Sequence, residues 1–441
     1  MILSPSLSSF YLAFLSFSFL SLQHLFQRQG DVFSDPTKTN IAELHTLVLR
    51  IHQIKEMKGL EKLQKLETLE LYDNMIEELD VASIKGIGNY GTGTLRVIDM
   101  SYNTIRDMAP LRYCNGSNTI TELYLANNKI KELCGINHLK NLRKLDLGYN
   151  RIRTFLTDNT DDNTTNENES TSRLSGLENL EELWIGKNKL ESLDGLQNLT
   201  KLRRLDVQGN RLISLVDDNN VCYLNAQRGK LEELYLALNG LTNDSLAGLL
   251  STDTDTSSQQ NKKYVTFPKL TVLDLSRNRL NSIDALFKIM NDDDGSTSAT
   301  GPGDDDANVD VNVNDVVGYW PVLESLWLSG NMITHFNDLE IVKIASTKNL
   351  LPDLDTLYLE YNPIAKDYEY RTKIAQYIPQ LKQLDSTYMH GHGHTHGSWS
   401  SSVLSSATNN TKNKNTTTTE EKLRVLQEVA LLRAKQQQQQ Q

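Results

Sequence analysis

Leu202-Arg203-Arg204-Leu205-Asp206-Val207-Gln208-Gly209-Asn210, with Leu212 two residues on, is the phrase that decides the architecture. It returns along the chain as Leu-x-x-Leu-x-Leu-x-x-Asn-x-Leu/Ile, for example as Leu95-Arg96-Val97-Ile98-Asp99-Met100-Ser101-Tyr102-Asn103. Apolar residues two apart fit a short strand that turns both side chains inward and the residue between them outward. The asparagine turns the chain, and its amide carries donors and an acceptor for backbone groups buried at that turn. Further leucines, as in Leu60-x-x-Leu63 and Leu177-x-x-Leu180, bring the chain back along the other side. One copy cannot bury its own leucines, so copies must stack.

The repeat asparagines are Asn74, Asn103, Asn128, Asn150, Asn188, Asn210, Asn239, Asn278, Asn331 and Asn362. Their closest spacing, 22 residues, is the base period, and the longer intervals are that unit with an insertion. One more copy, Leu44-x-x-Leu47-x-Leu49-x-x-His52-x-Ile54, precedes them with His52 in the asparagine slot. This is a leucine-rich repeat, and it predicts an α/β solenoid: a curved parallel sheet on the concave face and a helical or irregular convex face. The solenoid should span 41–362 with about eleven repeats, interrupted by polar insertions near 84–94, 156–173, 251–264 and 291–315. Residues 363–388 read as a C-terminal cap, because Ile374, Tyr377, Ile378, Leu381 and Leu384 follow helical spacing.

The position between the last two leucines is the informative column. It reads Glu70, Asp99, Tyr124, Asp146, Trp184, Asp206, Tyr235, Asp274, Trp327 and Tyr358, every one acidic or aromatic. Such residues make up about a fifth of the chain, so ten of ten by composition alone has a probability on the order of 10⁻⁷. Aromatic rings are the usual anchors of protein interfaces, and interleaved carboxylates steer a basic partner surface. The column therefore reads as a binding surface on an open, wet face, where carboxylate pKa values stay ordinary.

Net charge is −11, which argues against nucleic acid as the main partner. Cys114, Cys134 and Cys222 form no flanking pairs, which favours a reducing compartment. Residues 1–40 are a leader, unstructured or signal-like: 1–27 carry no Lys, Arg, Asp or Glu, but no basic n-region or small-x-small cleavage site accompanies them. Its apolar run is too short to span a bilayer, so no membrane partner is expected. Residues 389–441 are a low-complexity tail ending in glutamines, in which Thr418-x-x-Glu421 is placed to cap a helix through Leu432.

The 22-residue period, the asparagine turn and the ending Leu357-Tyr358-Leu359-Glu360-Tyr361-Asn362-Pro363-Ile364, followed by Tyr370-Arg371, Ile378-Pro379, Leu381 and Leu384-Asp385, resemble one family. It is the regulatory subunit 7 family of type-1 protein phosphatase. Runs such as Leu69-Glu70-Leu71-Tyr72-Asp73-Asn74 and Ile185-Gly186-Lys187-Asn188-Lys189 also look like it, and the resemblance covers roughly 40–388. It implies a non-catalytic cytoplasmic or nuclear protein, without cofactor or metal and monomeric outside its complex, that grips the phosphatase catalytic subunit with its concave face. The family's contact residues carry over to Asp99, Tyr124 (Phe in the family), Asp146 (Glu), Trp184 (Phe), Asp274, Trp327 and Tyr358. One departure stands out: the family has a Glu where this chain has Ser325, and neighbouring Glu324 is expected to point inward or sideways. Two other readings keep repeat architecture but change the role: a cytoskeletal, axonemal or splicing scaffold, or a secreted recognition protein if residues 1–25 act as a signal.

Other motifs weigh less. Lys263-Tyr264-Val265-Thr266-Phe267 matches the basic-x-Val-x-Phe docking motif of phosphatase-1 partners, but Phe267 falls three before Leu270 and is expected in the convex core. His390-Gly391-His392-Gly393-His394-Thr395-His396 is expected as a solvated tract rather than a metal site. No phosphate-binding glycine loop, nucleophile elbow or pocketed carboxylate pair is apparent, so an enzyme is not expected.

Overall fold

The computed structural model describes residues 9–11, 41–116, 118–157, 172–252, 264–265, 267–289, 316–317 and 319–389. The chain divides into two units, Met1–Gly391 and His392–Gln441. The histidine tract and the helix expected near Thr418 lie outside the described residues, as do most of the leader and the insertions.

Each repeat contributes one three-residue strand: Thr46–Val48, Thr68–Glu70, Val97–Asp99, Glu122–Tyr124, Lys144–Asp146, Glu182–Trp184, Arg204–Asp206, Glu233–Tyr235, Val272–Asp274, Ser325–Trp327 and Thr356–Tyr358. They pair in sequence order as one parallel ladder, extended by Gln383–Leu384 and led by Ser9–Tyr11, which pairs with Thr46–Val48. Only the last pair, Gln383–Leu384 with Thr387–Tyr388, is antiparallel. The fold is a leucine-rich-repeat solenoid. The central residue of each repeat strand, from Leu47 to Leu357, is at most 3% exposed, and burial of that extent stabilises by about 2 kcal/mol per leucine.

The asparagines tie neighbouring repeats together. Asn150 Nδ2 donates to Leu147 O of its own strand end and to Leu125 O of the preceding repeat, both at 3.0 Å, while its Oδ1 accepts from Ile130 N at 3.0 Å. The same triple recurs from Asn74 to Asn362. The turn also requires the residue before every asparagine to adopt left-handed φ. Asp73, Tyr102, Asn127, Tyr149, Lys187, Leu238, Arg277 and Tyr361 do so at φ 54–62°, and only Gly209 and Gly330 are the residue type that accepts this freely.

The insertions leave the ladder in register. Three of them start from antiparallel stems: Leu156 with Ser172, Ser251–Thr252 with Tyr264–Val265, and Lys288–Ile289 with Val316–Val317. The stretch near 84–94 begins differently. Asp80 Oδ2 accepts from Ser83 N and caps the helix Val81–Gly86, whose Ile84, with Ile87 just beyond it, belongs to the core. At the C-terminus the helix runs only Tyr370–Tyr377, shorter than the spacing of Ile374 to Leu384 suggests. Pro379 disfavours helix at Ile378, and Leu384 joins the sheet as a strand residue. Ile374, Tyr377 and Ile378 still close over Leu354, Leu357 and Leu359 of the final repeat.

Candidate functional site

Strand register places the whole column in one row. Glu70 pairs with Asp99, Asp99 with Tyr124, Tyr124 with Asp146, Asp146 with Trp184, Trp184 with Asp206 and Asp206 with Tyr235. Tyr235 then pairs with Asp274, Asp274 with Trp327 and Trp327 with Tyr358. Nine of the ten are half-buried by their neighbours, and Asp274 is buried.

The carboxylates are not the free, wet groups that the sequence suggests. Asp99, Asp146, Asp206 and Asp274 each accept, through Oδ1, the backbone N–H two residues on: Ser101, Gly148, Gln208 and Ser276, all at 2.9 Å. That is a local turn bond which satisfies the end of the strand. Asp206 Oδ2 additionally accepts from Gln208 Nε2 at 2.9 Å. Burial pushes Asp99 and Asp274 above the usual carboxylate range and pushes Asp146 up to about 6. At these three positions the expectation of ordinary pKa values fails because neighbouring rings and strands remove water from the carboxyl groups. Glu70 is held by Arg50, whose Nε donates to it at 2.9 Å.

The aromatic half is less committed. Trp327 meets Tyr358 edge-on with ring centroids 5.5 Å apart, and meets Tyr235 at 6.3 Å across the intervening Asp274 strand. Trp327 Nε1 is buried without a hydrogen-bond partner among the described residues. Tyr124 and Tyr235 donate their hydroxyls to Glu122 and Glu233 at 2.7 and 2.8 Å, and Tyr358 Oη accepts from Gln383 Nε2 at 2.7 Å. Trp184 lies under the Arg204 guanidinium, 5.9 Å from the ring centroid.

A flanking column escaped the sequence reading. The first strand residues Glu122, Lys144, Glu182, Arg204 and Glu233 alternate in sign, with Lys144 and Arg204 reaching Glu182 at 3.7 and 3.8 Å. Alternation at one position per repeat was the available signal. Glu324 is exposed rather than turned inward, and Ser325 begins its strand half-buried. Phe267 is fully buried and stacks on Trp320 at 6.5 Å, as its spacing predicts. Among the described residues there is no group of three or more His, Cys, Asp or Glu placed to hold a metal ion, and no helix long and apolar enough to cross a membrane.

Leucine-rich-repeat family models match residues 178–220, as two copies, and 138–154. A protein phosphatase 1 regulatory inhibitor subunit PPP1R7 homolog of Arabidopsis thaliana is 32% identical over 110 residues, covering 24% of this chain and 28% of that protein. Protein phosphatase 1 regulatory subunit 7 of Xenopus tropicalis is 38% identical over 58 residues, covering 13% of this chain and 15% of its own. An internalin of Listeria monocytogenes aligns with 83% of this chain and 95% of its own at 17% identity and a TM-score of 0.46. The matches therefore span less than a third of those two phosphatase-regulator relatives. What the repeats, the ladder and the family models establish together is that this chain is a leucine-rich-repeat protein.

Proposed function

We propose that the protein is a non-catalytic regulatory or scaffold subunit that binds the catalytic subunit of a type-1 serine/threonine phosphatase through the column on its sheet. It then modulates that enzyme's activity, maturation or location in cytoplasm or nucleus. The observation that carries this reading is the run Tyr235, Trp327 and Tyr358, three rings in successive edge contact on the column. Rings already packed against one another lose little conformational freedom on binding. The names of the partial relatives point to the same enzyme.

Packing of the aspartates changes the expected energetics. With Oδ1 of each aspartate tied to its own backbone, and Oδ2 of Asp206 to Gln208, the aspartates orient a basic surface more than they attract it from afar. Affinity capture of the phosphatase catalytic subunit by tagged full-length protein tests the reading. Recovery is expected with the wild type and lost with Trp184→Ala combined with Trp327→Ala. Equal recovery by both overturns it.

A further inference from the structure

The turn after each strand carries a second ladder, outside the column. The residue following each asparagine donates its backbone N–H to the preceding repeat: Lys129 to Ile105, Arg151 to Ile130, Lys189 to Ile152 and Arg211 to Leu190, each at 2.8 Å. These bonds hold four basic residues of consecutive repeats in one row at the ~4.8 Å spacing of parallel strands. Lys131 and Arg153, two positions on, widen the row. Lys131, Arg151, Arg153 and Arg211 are exposed, while Lys129 and Lys189 are half-buried. Among the described residues only Arg211 of these six forms an ion pair, with Glu191 at 3.8 Å. The remaining carboxylate of this rim, Glu132, is engaged by Arg173 at 3.6 Å. A chain of net charge −11 thus stacks like charges where they repel one another and where, among the described residues, only Glu191 pairs with them.

We infer that this rim docks a short acidic peptide segment, a run of Asp or Glu on a partner protein. Charge complementarity requires an anion, and the length of the row fits a short one. Four repeats span ~15 Å, the length of four or five residues of extended chain. A net charge of −11 on the chain works against a long polyanion such as a nucleic-acid backbone more than against a short acidic run. The side chains are matched to the ligand type: guanidinium groups fork onto carboxylates, and lysines supply charge without fixed direction. The surface is separate from the aromatic run and does not depend on the phosphatase reading.

The test is fluorescence anisotropy of a labelled aspartate-rich peptide with the full-length protein. Saturable binding is expected at about 50 mM salt, weakening at least tenfold by about 200 mM. Arg151→Glu with Lys189→Glu should weaken binding at least tenfold and flatten the salt dependence, while Arg153→Lys retains it. Neutral Lys129→Gln with Lys189→Gln should show a smaller loss, and covers the case in which charge reversal unfolds the chain. Trp327→Ala should leave peptide affinity unchanged. The inference is overturned if the peptide does not bind at low salt, or if both rim variants that fold bind it like the wild type. It is equally overturned if Trp327→Ala abolishes binding, or if an oligothymidine of equal charge binds more tightly.

Discussion

Asp385 accepts the backbone N–H of Leu359 at 2.8 Å, the N–H that in each upstream repeat goes to the backbone carbonyl of the next strand's column residue, as Leu125 N goes to Asp146 O. The same oxygen takes Glu360 N at 2.8 Å, and the other takes the Tyr370 hydroxyl at 3.1 Å. A carboxylate suits this position because it supplies only acceptors, and the three groups bonded to it are all donors. Asp385→Ala leaves those buried donors without an acceptor and should cost about 2–3 kcal/mol, against about 1 kcal/mol for Tyr370→Phe. Urea unfolding followed by circular dichroism measures both. A loss below about 0.5 kcal/mol for Asp385→Ala would mean that the solenoid does not depend on this closure.

The left-handed residue before each asparagine makes an unusual stability forecast. Tyr361 sits at φ 62° and is 77% exposed, so its side chain contributes little packing to offset the strain. Tyr361→Gly should therefore stabilise by about 0.5–1 kcal/mol, the relief of strain exceeding the entropy that glycine adds to the unfolded chain. Gly209→Ala should do the reverse: φ is 65°, and a Cβ there would stand 2.6 Å from the Lys187 side chain. Paired thermal melts decide; melting temperatures that move in the same direction for both would contradict the account.

Asp146 predicts a pH dependence of defined sign. Its carboxyl is pushed up to about 6 by burial, well above the ordinary 3.8, with Asp206 and Asp99 adding repulsion. A carboxyl whose folded value lies above its unfolded value favours folding when protonated, so the contribution is complete below about pH 4 and lost as pH rises through about 6. Asp146→Asn keeps an oxygen for Gly148 N and removes the charge. It should stabilise by on the order of 1–2 kcal/mol at about pH 7.5, with the difference vanishing near pH 4. A gap that persists at low pH would assign the effect to packing.

These cases mark which parts of the molecule could be read from sequence. Inward leucines and turn asparagines are legible because each has one physical job at a fixed spacing, and the structure puts Leu205 and Asn210 to those uses. The column is ambiguous because an aspartate on a strand can serve a partner or its own backbone. The missed clue was local: Asp99, Asp146 and Asp274 are followed two residues later by Ser101, Gly148 and Ser276, a turn signature. Likewise Glu122 and Glu233 two residues before Tyr124 and Tyr235 foreshadow the hydroxyl bonds, but only the strand geometry brings them together. Left-handed φ at Tyr102 or Leu238 has no signal in residue type at all, since the stacked asparagines impose it.

The two tryptophans of the column should not contribute equally to phosphatase binding. Trp327 stands between two tyrosine rings, whereas Trp184 is already covered by Arg204, which Glu182 and Glu233 hold in place. Trp327→Ala should therefore cost about 2–4 kcal/mol of binding and Trp184→Ala about 1 kcal/mol. Trp327→Phe keeps most of the ring area, and the indole N–H is buried out of a partner's reach, so about 1 kcal/mol is expected from lost area alone. Because Glu70 is paired to Arg50 and the four aspartates are tied to the backbone, raising salt from about 50 to about 200 mM should weaken binding less than tenfold. Calorimetric titration against the catalytic subunit separates the effects: a steep salt dependence with equal losses at both tryptophans would make the carboxylates, not the rings, the source of affinity.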